Sequence, residues 1–390
     1  MNKRDKRIDR AIGCLIGGAI GDALGYPVEH LSLEEIKAKY GYFGVSSFED
    51  YKVDKALFSD DTQMTLFTAN GIIKSKTYAN YHNIDEDVTP FVYSAYLDWL
   101  ACLGYREGKN VSWIKEIEEL NHVRSPGRTC VSSLLLSEEE HALYNLNNPI
   151  NDSKGSGAVM RIAPFGLVAS NYPNFMLDTA KISMLTHGHP MSTLASQVLV
   201  ILIKDIIKDD GRTLWRIAKD AIKYVYDYYQ KPAPIGLEPF YQNIKKYLPA
   251  FIDLMKKTMI YIKYDLVQND RNTDFNETIL IIKKLGQGWV AEETLAIALY
   301  CAIRYQNEPH VAMRAAVNHD GDSDSTAGIT GQILGTYHGD RIIPSYIRNK
   351  VEIVDIIEEL ARDLVSEVPT TSKEKEIWET KYIQNKRYVK

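Results

Sequence analysis

The sequence predicts an all-α fold in which the 390 residues form a single compact domain. Three observations support this prediction: apolar residues recur at helical spacing along most of the chain, alternating strand patterns are hard to find, and no tandem repeat or low-complexity block divides it. Length alone would allow two or three domains. The predicted helices lie at roughly residues 5–24, 60–75, 90–103, 112–120, 157–170, 175–186, 190–208, 212–229, 243–263, 275–285, 290–306, 309–319, 325–335 and 351–366.

The first predicted helix combines an apolar stripe with several glycines. Glycine lowers helix propensity, but on a helix surface it also lets a second backbone approach closely. Ser32 and Glu35 then form a capping-box pattern, which predicts the start of a short second helix. The stripe consists of Ile8, Ile12, Leu15, Ile16, Ala19, Ile20 and Ala23, and the glycines are Gly13, Gly17, Gly18 and Gly21.

Residues 231–275 are the least regular part of the chain. They include "QKPAPIGLEP" and "QNDRNTDFN", in which Pro, Gly, Asn and Asp interrupt the helical pattern. This composition predicts an inserted segment within the single domain.

The overall composition limits the class of protein. The chain is 45% apolar and 25% charged with a formal net charge of −5, so it lacks the basic footprint of a nucleic-acid-binding protein. Its cysteines are far apart and have no paired spacing, which predicts free thiols in a reducing compartment. They are Cys14, Cys102, Cys130 and Cys301.

The N-terminus has basic residues before an apolar run, as a signal peptide does. Asp5 and Asp9 interrupt the basic part, and Asp22 ends the apolar run after about ten residues. A helix that spans a membrane needs about 20 apolar residues. We therefore expect a cytoplasmic protein with no membrane partner.

An acidic cluster, "NHDGDSDSTAG", occupies residues 318–328 and places Asp320, Asp322 and Asp324 two residues apart. Asp, Ser and Gly are turn residues, so a solvated acidic turn is one interpretation. The flanking segments "HVAMRAAV" and "TAGITGQILG" are instead typical of buried helices. Two carboxylates ~4 Å apart repel by roughly 4 kcal/mol at an effective dielectric of 20. A divalent cation at this cluster would remove the repulsion.

The type of cation follows from the neighbouring residues. An EF-hand loop that began at Asp320 would need Gly and Glu where Ser325 and Gly331 stand. Zinc prefers Cys and His, and His319 is the single such residue nearby. The pattern favours a hard cation with oxygen ligands: Mg²⁺, Mn²⁺ or Ca²⁺.

A second acidic pair lies in "FSDDTQMTLFTANGI", residues 58–72. Ser59 followed by Asp60 and Asp61 fits ordinary helix capping, because acids are favoured in the first turn of a helix. A divalent ion, however, needs four to six oxygen ligands from separate segments. Together with the first cluster, this pair is a candidate for the remaining ligands.

Three further segments contain candidate polar groups. Glu29 follows a turn at Pro27, where a surface acid is the alternative interpretation. "SKGSGAVMRIAPFGL", residues 153–167, is a Gly/Ser turn that leads into a predicted helix, whose free N–H groups could hold a phosphate. "LTHGHP", residues 185–190, contains two histidines at a helix end, a pattern that a polar turn also produces.

In combination, these segments resemble the ADP-ribosylglycohydrolase family, the all-α hydrolases related to the dinitrogenase-reductase-activating and ADP-ribosylarginine hydrolases. The similar segments run in family order between residues 13 and 335. Residues 231–275 and a C-terminal extension after about 340 make this chain longer than compact family members. The segments are "GCLIGGAIGDALGYPVE", "FSDDTQMTL", "SPGRTCVSSL", "SKGSGAVMRIAPFGL", "LTHGHP", "LGQGWVAEETLAIALY" and "NHDGDSDSTAGITGQILG".

The resemblance implies a set of site residues and two bound divalent cations, Mg²⁺ or Mn²⁺. The family more often has Thr where this chain has Ser59 and Ser325, and serine keeps the hydroxyl ligand. The family usually has a small residue at the position of Asp320, so no ligand role is carried over to it. Catalytic roles fall on Glu29, Asp60, Asp61 and Asp324, metal ligation on Ser59, Asp60, Asp61, Asp322, Asp324 and Ser325, and substrate binding on Gly155, Ser156, Gly157 and His187.

The implied activity is hydrolysis of ADP-ribose from a modified protein side chain, with an arginine N-glycoside as the preferred linkage, or from a small ADP-ribosyl conjugate. Two alternatives stay open. The family also resembles a lens crystallin, so a non-catalytic relative that binds ADP-ribose or nothing is possible. A magnesium-dependent isoprenoid-type synthase would need a "DDxxD" motif, in which Met64 takes the place of the last Asp.

Overall fold

A computed structural model of the chain describes residues 3–85, 87–107, 112–139, 145–268 and 275–387. Within these ranges the chain forms α-helices and short 3₁₀ turns, with three isolated β-bridges and no strand, so the predicted all-α fold is confirmed. The helices are α1 (Lys3–Gly25), α2 (Leu33–Tyr40), α3 (Asp60–His82), α4 (Val88–Cys102), α5 (Arg128–Glu139), α6 (Ala163–Val168), α7 (Phe175–Met184), α8 (Pro190–Ile206), α9 (Leu214–Gln230), α10 (Glu238–Gln268), α11 (Phe275–Leu285), α12 (Ala291–Arg304), α13 (Pro309–Val317), α14 (Ser323–His338), α15 (Ser345–Arg348), α16 (Val354–Val365) and α17 (Ser372–Tyr382).

Helices α1 and α14 lie antiparallel and make the most extensive helix–helix contact in the described part of the chain. Glycines at every fourth position of α1 face the backbone of α14. A Cβ atom at Gly21 would lie 2.0 Å from the carbonyl oxygen of Ala327, and one at Gly17 would lie 2.4 Å from that of Gly331. Real Cβ atoms do not approach so closely, so the predicted close backbone approach is confirmed. The antiparallel arrangement brings the C-terminal end of α1 beside the N-terminal end of α14.

The segment Lys3–Val28, which contains α1, is long and apolar enough to cross a membrane by length and composition. In this fold, 89% of its apolar window is buried inside the protein. Ile12, Leu15 and Ile16 belong to the main hydrophobic core. Core packing therefore accounts for the apolar character of this helix.

The remaining helices surround this central pair. Helix α3 packs against α4 and α16, and α8 packs against α6, α7, α9, α10 and α12. Most of the segment 231–275 is the single helix α10, which contacts α8, α9 and α12, while residues 269–274 lie outside the described ranges. Helix α16, in the segment after residue 340, packs on both α1 and α3, so this segment contributes to the core.

Several local predictions can be compared with the structure. The Ser32–Glu35 capping box is confirmed, because the Ser32 N–H donates to the Glu35 carboxylate at 2.8 Å and the Glu35 N–H donates to Ser32 Oγ at 3.3 Å. The helix predicted at 112–120 is wrong: two 3₁₀ turns flank Ile117, whose backbone is extended. The helix predicted at 157–170 is divided into a 3₁₀ turn at Ser156–Ala158 and α6.

Helix α5 was missed because its buried face is not a simple apolar stripe. Cys130 and Leu134 on that face are accompanied by Ser133 and Ser137, which are also buried. Small polar residues at buried positions hide the helical periodicity on which the prediction relies.

Candidate active site

A cavity of about 680 Å³ opens between the N-terminal ends of α3 and α14. This volume is typical of a pocket that binds a small molecule or cofactor. Acidic side chains line one part of it, and a glycine loop with a histidine lines another. The predicted site residues among its lining are Glu29, Asp60, Asp61, Gly155, Ser156, Gly157, His187, Asp322, Asp324 and Ser325.

The N-terminal end of α3 is held in place by Asp22 of α1. The Ser59 N–H donates to Oδ1 of Asp22 at 2.8 Å, and the Thr62 N–H donates to Oδ2 at 2.9 Å. Ser59 itself caps α3, since its Oγ accepts from the Asp61 N–H at 3.1 Å. The capping interpretation of Ser59 is therefore correct, and Asp60 and Asp61 are presented to the cavity from a helix end fixed by an acid on another helix.

The N-terminal end of α14 supplies the second acidic group. Asp322 is the N-cap residue, and Asp324 lies in the first turn. The Ser325 hydroxyl donates to Oδ2 of Asp61 at 2.8 Å, which joins the two helix ends directly. Because the N-terminal end of a helix carries partial positive charge, both pairs of carboxylates gain some stabilisation from the backbone.

Glu29 completes the acidic part of the cavity lining, here called the acidic wall, which also contains Asp60, Asp61, Asp322 and Asp324. Carboxylate oxygens of Glu29, Asp322 and Asp324 lie within 4.8 Å of one another, a grouping that could hold a metal ion. Oε2 of Glu29 is buried and accepts no hydrogen bond, and the His30 ring nitrogen is 3.7 Å away. A buried carboxylate oxygen without a donor is costly, and a cation would satisfy it.

The pKa values of these acids show how crowded the cluster is. Burial, followed by the charges of Asp322 and Asp60, raises the pKa of Glu29 to about 8. Burial also raises the pKa of Asp60 to about 7 and those of Asp61 and Asp324 well above their usual range. Among the described residues, no lysine or arginine forms an ion pair with these acids, so an oxygen-rich cluster of this kind fits a hard divalent cation.

The glycine loop, which consists of Gly155, Ser156 and Gly157, packs directly against the His187 ring. A Cβ atom at Gly157 would lie 2.7 Å from Cε1 of His187, and one at Gly155 would lie 3.1 Å from its Nε2. The loop is fixed from outside, since the Ser156 N–H donates to the Trp289 carbonyl at 3.2 Å. Glycine at these two positions therefore lets the loop lie directly against the His187 ring.

Two residues of the acidic motifs, Ser59 and Asp320, stand apart from the cavity, and of these only Ser59 was a predicted site residue. Ser59 is fully buried and is not part of the lining, because it lies behind Asp60 as the cap of α3. Asp320, for which no ligand role was expected, accepts from the Leu33 N–H at 2.8 Å and so holds the start of α2.

Sequence reasoning missed the role of Asp22 and three residues at the cavity rim. A lone acid among the Gly, Ala and Ile residues of a buried helix was the available signal for Asp22. Arg128 is the one lysine or arginine among the described residues that line the cavity. His30 and Trp289 also line it, with their rings stacked at a centroid distance of 6.1 Å.

The C-terminal segment supports the acidic site from behind. The Arg124 carbonyl accepts from the Asp60 N–H at 3.1 Å, and the Arg124 guanidinium donates to the Phe58 carbonyl at 3.1 Å. The same guanidinium forms a buried, two-fold ion pair with Glu352. Nothing local in the sequence indicates this pair, which joins residues 228 positions apart.

Two other depressions, of about 780 and 1030 Å³, are larger than the acidic cavity. One lies beside Tyr51 and Lys52, and the other lies beside Arg362 and Lys381. The acidic cavity alone combines a cluster of acids with raised pKa values and a glycine loop among these three. It is therefore the candidate active site.

Comparison with known proteins agrees with this geometry. The sequence profile described as ADP-ribosylglycohydrolase matches residues 3–374. The chain belongs to the ADP-ribosylglycohydrolase family. It is thus a relative of glycosidic-bond hydrolases, and the family is metal-dependent. The resemblance inferred from the motifs is confirmed.

Individual relatives are distant but align over most of their length. An ADP-ribosylarginine hydrolase, Tri1, of Serratia proteamaculans is 23% identical, with 93% of this chain and 80% of that protein covered. The ADP-ribosyl-[dinitrogen reductase] glycohydrolase of Rhodospirillum rubrum is 22% identical over 88% and 91%. YegU of Escherichia coli is 24% identical over 90% and 93%. A solved ADP-ribosylglycohydrolase-related protein complex shares the fold at a TM-score of 0.60 and 22% identity, with 92% of this chain and 98% of that chain covered.

Proposed function

We propose that this protein is a metal-dependent hydrolase that releases ADP-ribose from a modified protein side chain or from a small ADP-ribosyl conjugate. The observation that carries the proposal is that two acidic helix ends, Glu29, a glycine loop and a histidine all line one cavity. The acids offer oxygen ligands for a hard cation, and the loop and histidine beside them offer donors for a phosphate. A sugar joined to a diphosphate needs both.

The ligands for two divalent cations, Mg²⁺ or Mn²⁺, would come from both helix ends. The unsatisfied oxygen of Glu29 and the clustered carboxylates support a cation at this wall. When bound, divalent ions polarise sugar hydroxyls and increase the acidity of water. The proposed ligands are Asp60, Asp61, Asp322, Asp324 and Ser325. Ser59, which lies behind Asp60 outside the cavity lining, would act as the cap of α3 instead of as a ligand.

The protein's own groups would act on the sugar and its leaving group. Departure of the leaving group leaves an oxocarbenium-like sugar, which nearby carboxylates stabilise before water adds. Glu29 lies in the acidic wall with a raised pKa, so it can hold or deliver a proton near neutral pH, or orient the ribose. Gly157, His187 and Arg128 are suited to the diphosphate, because they offer a backbone N–H, a ring nitrogen and a guanidinium. Gly155 and Ser156 would shape the loop around the ligand, since their own N–H groups donate to Ser153 Oγ and to the Trp289 carbonyl.

An arginine N-glycoside is the proposed linkage. The family contains a relative named as an ADP-ribosylarginine hydrolase, and this chain covers most of its length. The stacked pair of His30 and Trp289 at the rim gives a planar, cationic guanidinium an aromatic surface on which to rest.

The test is turnover against a panel of ADP-ribosylated arginine, ADP-ribosylated serine and ADP-ribosyl nucleotide substrates in the presence of Mg²⁺ or Mn²⁺. Asp324→Ala should reduce turnover by several orders of magnitude, because it removes a carboxylate from the acidic wall. Asp320→Ala is a matched control from the same motif. Its carboxylate accepts from the Leu33 N–H at the start of α2 and is not part of the cavity lining, so stability should fall by about 1 kcal/mol and turnover should persist.

Near-wild-type turnover by Asp324→Ala would contradict the proposed metal role. ADP-ribose binding without turnover of any substrate would favour the non-catalytic alternative. Preferential binding of farnesyl or geranyl pyrophosphate would favour the synthase alternative.

A further inference from the structure

The Thr186 hydroxyl lies between a buried arginine and the histidine of the candidate site. Nη2 of Arg161 donates to Oγ1 of Thr186 at 2.6 Å, and the same Oγ1 is 2.8 Å from Nδ1 of His187. All three side chains are buried. They form one hydrogen-bonded chain that ends at the cavity wall.

The direction of each bond in this chain follows from the chemistry of the donors. A guanidinium can only donate, so Thr186 Oγ1 accepts from Arg161. The Thr186 hydroxyl then has its own hydrogen to donate, and Nδ1 of His187 is the acceptor that the described residues offer it. Because Nδ1 accepts, the ring hydrogen of a neutral His187 must be on Nε2.

The surroundings keep His187 neutral. Burial, followed by the positive charge of Arg161, lowers the pKa of His187 to about 3. Arg161 itself has no carboxylate partner among the described residues: its guanidinium contacts Cys130 Sγ and Met64 Sδ and stacks over the Tyr96 ring. A second proton on the imidazole would place two cations side by side in the interior.

The turn that contains Thr186 is also fixed through its backbone. The Thr186 carbonyl accepts from Ser133 Oγ at 2.9 Å and from Asn151 Nδ2 at 2.8 Å. The Gly188 N–H donates to Oδ1 of the same Asn151 at 3.0 Å. The backbone on both sides of His187 is therefore held in place, and the contact of Nδ1 with Thr186 Oγ1 orients the ring.

The other ring nitrogen faces the glycine loop. Nε2 of His187 lies 3.1 Å from the position of a Cβ at Gly155 and 3.3 Å from that of a Cβ at Gly157. An Nε2–H in this place is a neutral donor directed at the loop that would hold a diphosphate. The opposite tautomer would present a lone pair to the phosphate oxygens and repel them.

We propose that Arg161 and Thr186 are positioning residues that fix His187 as the Nε2–H tautomer, so that it donates to the diphosphate of a bound ADP-ribosyl group. The part of this proposal that concerns the ligand rests on the proposed function. The tautomer itself does not depend on any substrate, so the two can be tested separately.

The first measurement is the tautomer. Protein labelled with ¹⁵N-histidine is studied by long-range ¹H–¹⁵N NMR, which distinguishes a protonated ring nitrogen from an unprotonated one, and His187→Gln identifies the relevant signal. We expect protonated Nε2 and unprotonated Nδ1 in the metal-free wild type. Protonated Nδ1 would overturn the proposal even if no variant folds.

The second measurement is binding of ADP-ribose and of adenosine, which lacks the diphosphate, by calorimetry. Thr186→Val should weaken ADP-ribose binding at least about tenfold, because a hydrogen bond to an anion loses its oriented donor. Adenosine binding should be unchanged, and Thr186→Ser, which keeps the hydroxyl, should restore ADP-ribose binding. Thr179→Val is the matched control, because the Thr179 hydroxyl is equally buried but donates to the Phe175 carbonyl of its own helix at 2.6 Å.

Equal binding of ADP-ribose by wild type and Thr186→Val would overturn the proposal. So would an equal loss in Thr186→Ser, since the hydroxyl would then not be the relevant feature. A wild type that shows the Nε2–H tautomer but binds no ADP-ribose would support the tautomer assignment and refute the proposed function.

Discussion

Removal of divalent cations should make the stability of this protein depend on pH in a direction set by the acidic cavity. Burial, then Asp322 and Asp60, raises the pKa of Glu29 from 4.5 to about 8, and burial chiefly raises that of Asp60 from 3.8 to about 7. In the unfolded chain both acids ionise near their ordinary values. Between the ordinary and the raised values, the folded metal-free protein holds protons that the unfolded chain has lost. The contribution of these two acids to its stability is therefore greatest in acid and falls as pH rises.

The contribution of a single acid to the free energy of unfolding sets the scale of this pH dependence. A single acid in such a window changes the free energy of unfolding by about 1.4 kcal/mol for each tenfold change in proton concentration. The Glu29 side chain is 13% exposed, so solvent screens it little. Between about pH 5 and about pH 8, Glu29 alone should lower the stability of the metal-free protein by on the order of 3 kcal/mol. The acids interact, so their separate effects do not simply add.

Bound Mg²⁺ should oppose this loss, because protons and cations compete for the same oxygens. The assay is urea unfolding of metal-free and Mg²⁺-saturated protein across this pH range, and the quantity of interest is the difference between the two forms at each pH. Titrations common to both forms cancel in that difference. These include His187 and His319, whose pKa values burial lowers to about 3 and about 4, and which therefore destabilise the fold in acid.

The stabilisation by Mg²⁺ should grow from pH 5 to pH 8. Glu29→Gln is the control, since it removes one titrating group and should make the metal-free curve flatter. A stabilisation that is independent of pH, or larger in acid, would show that the acidic cluster does not exchange protons for cations.

Two further predictions concern the supports of the site. Gly21→Ala should destabilise the fold by about 3 kcal/mol or more in urea unfolding, because its Cβ would lie 2.0 Å from the Ala327 carbonyl oxygen and would force α1 and α14 apart; a loss below about 0.5 kcal/mol would contradict the close contact. Glu352→Ala should cost about 3–5 kcal/mol in the same assay, because it leaves the buried Arg124 cation without its carboxylate. Replacing both partners by apolar residues should restore much of that loss, and a double variant as unstable as Glu352→Ala would argue against an uncompensated charge as the cause.

The sequence was most informative where the structure depends on local chemistry. The Ser32–Glu35 capping box lies within one turn of helix, and its hydrogen bonds follow from the residue types. The same holds for Ser59 as the cap of α3. The glycines of α1 predicted a close backbone approach because no other residue type needs so little space.

The parts that were missed depend on contacts between distant segments. Asp22 stands 37 residues before Ser59 in the chain, and only the folded arrangement shows that its carboxylate holds the start of α3. The role of Thr186 likewise depends on Arg161, which reaches it from another element. The extended backbone of Ile117 interrupts the helix predicted at 112–120, and no neighbouring residue type indicates this interruption.

Because of the glycine contact between α1 and α14, substitutions in this helix pair and substitutions at the cavity rim should affect different properties of the site. Helix α1 contacts the acidic ends of both α3 and α14, through Asp22 on one side and through backbone in contact with backbone on the other, and the Ser325–Asp61 hydrogen bond joins the two ends. Side chains at the rim, such as His30 and Trp289, take no part in these contacts. Directed evolution of leaving-group preference can therefore vary the rim side chains while the helix contacts that space the carboxylates of α3 and α14 stay in place.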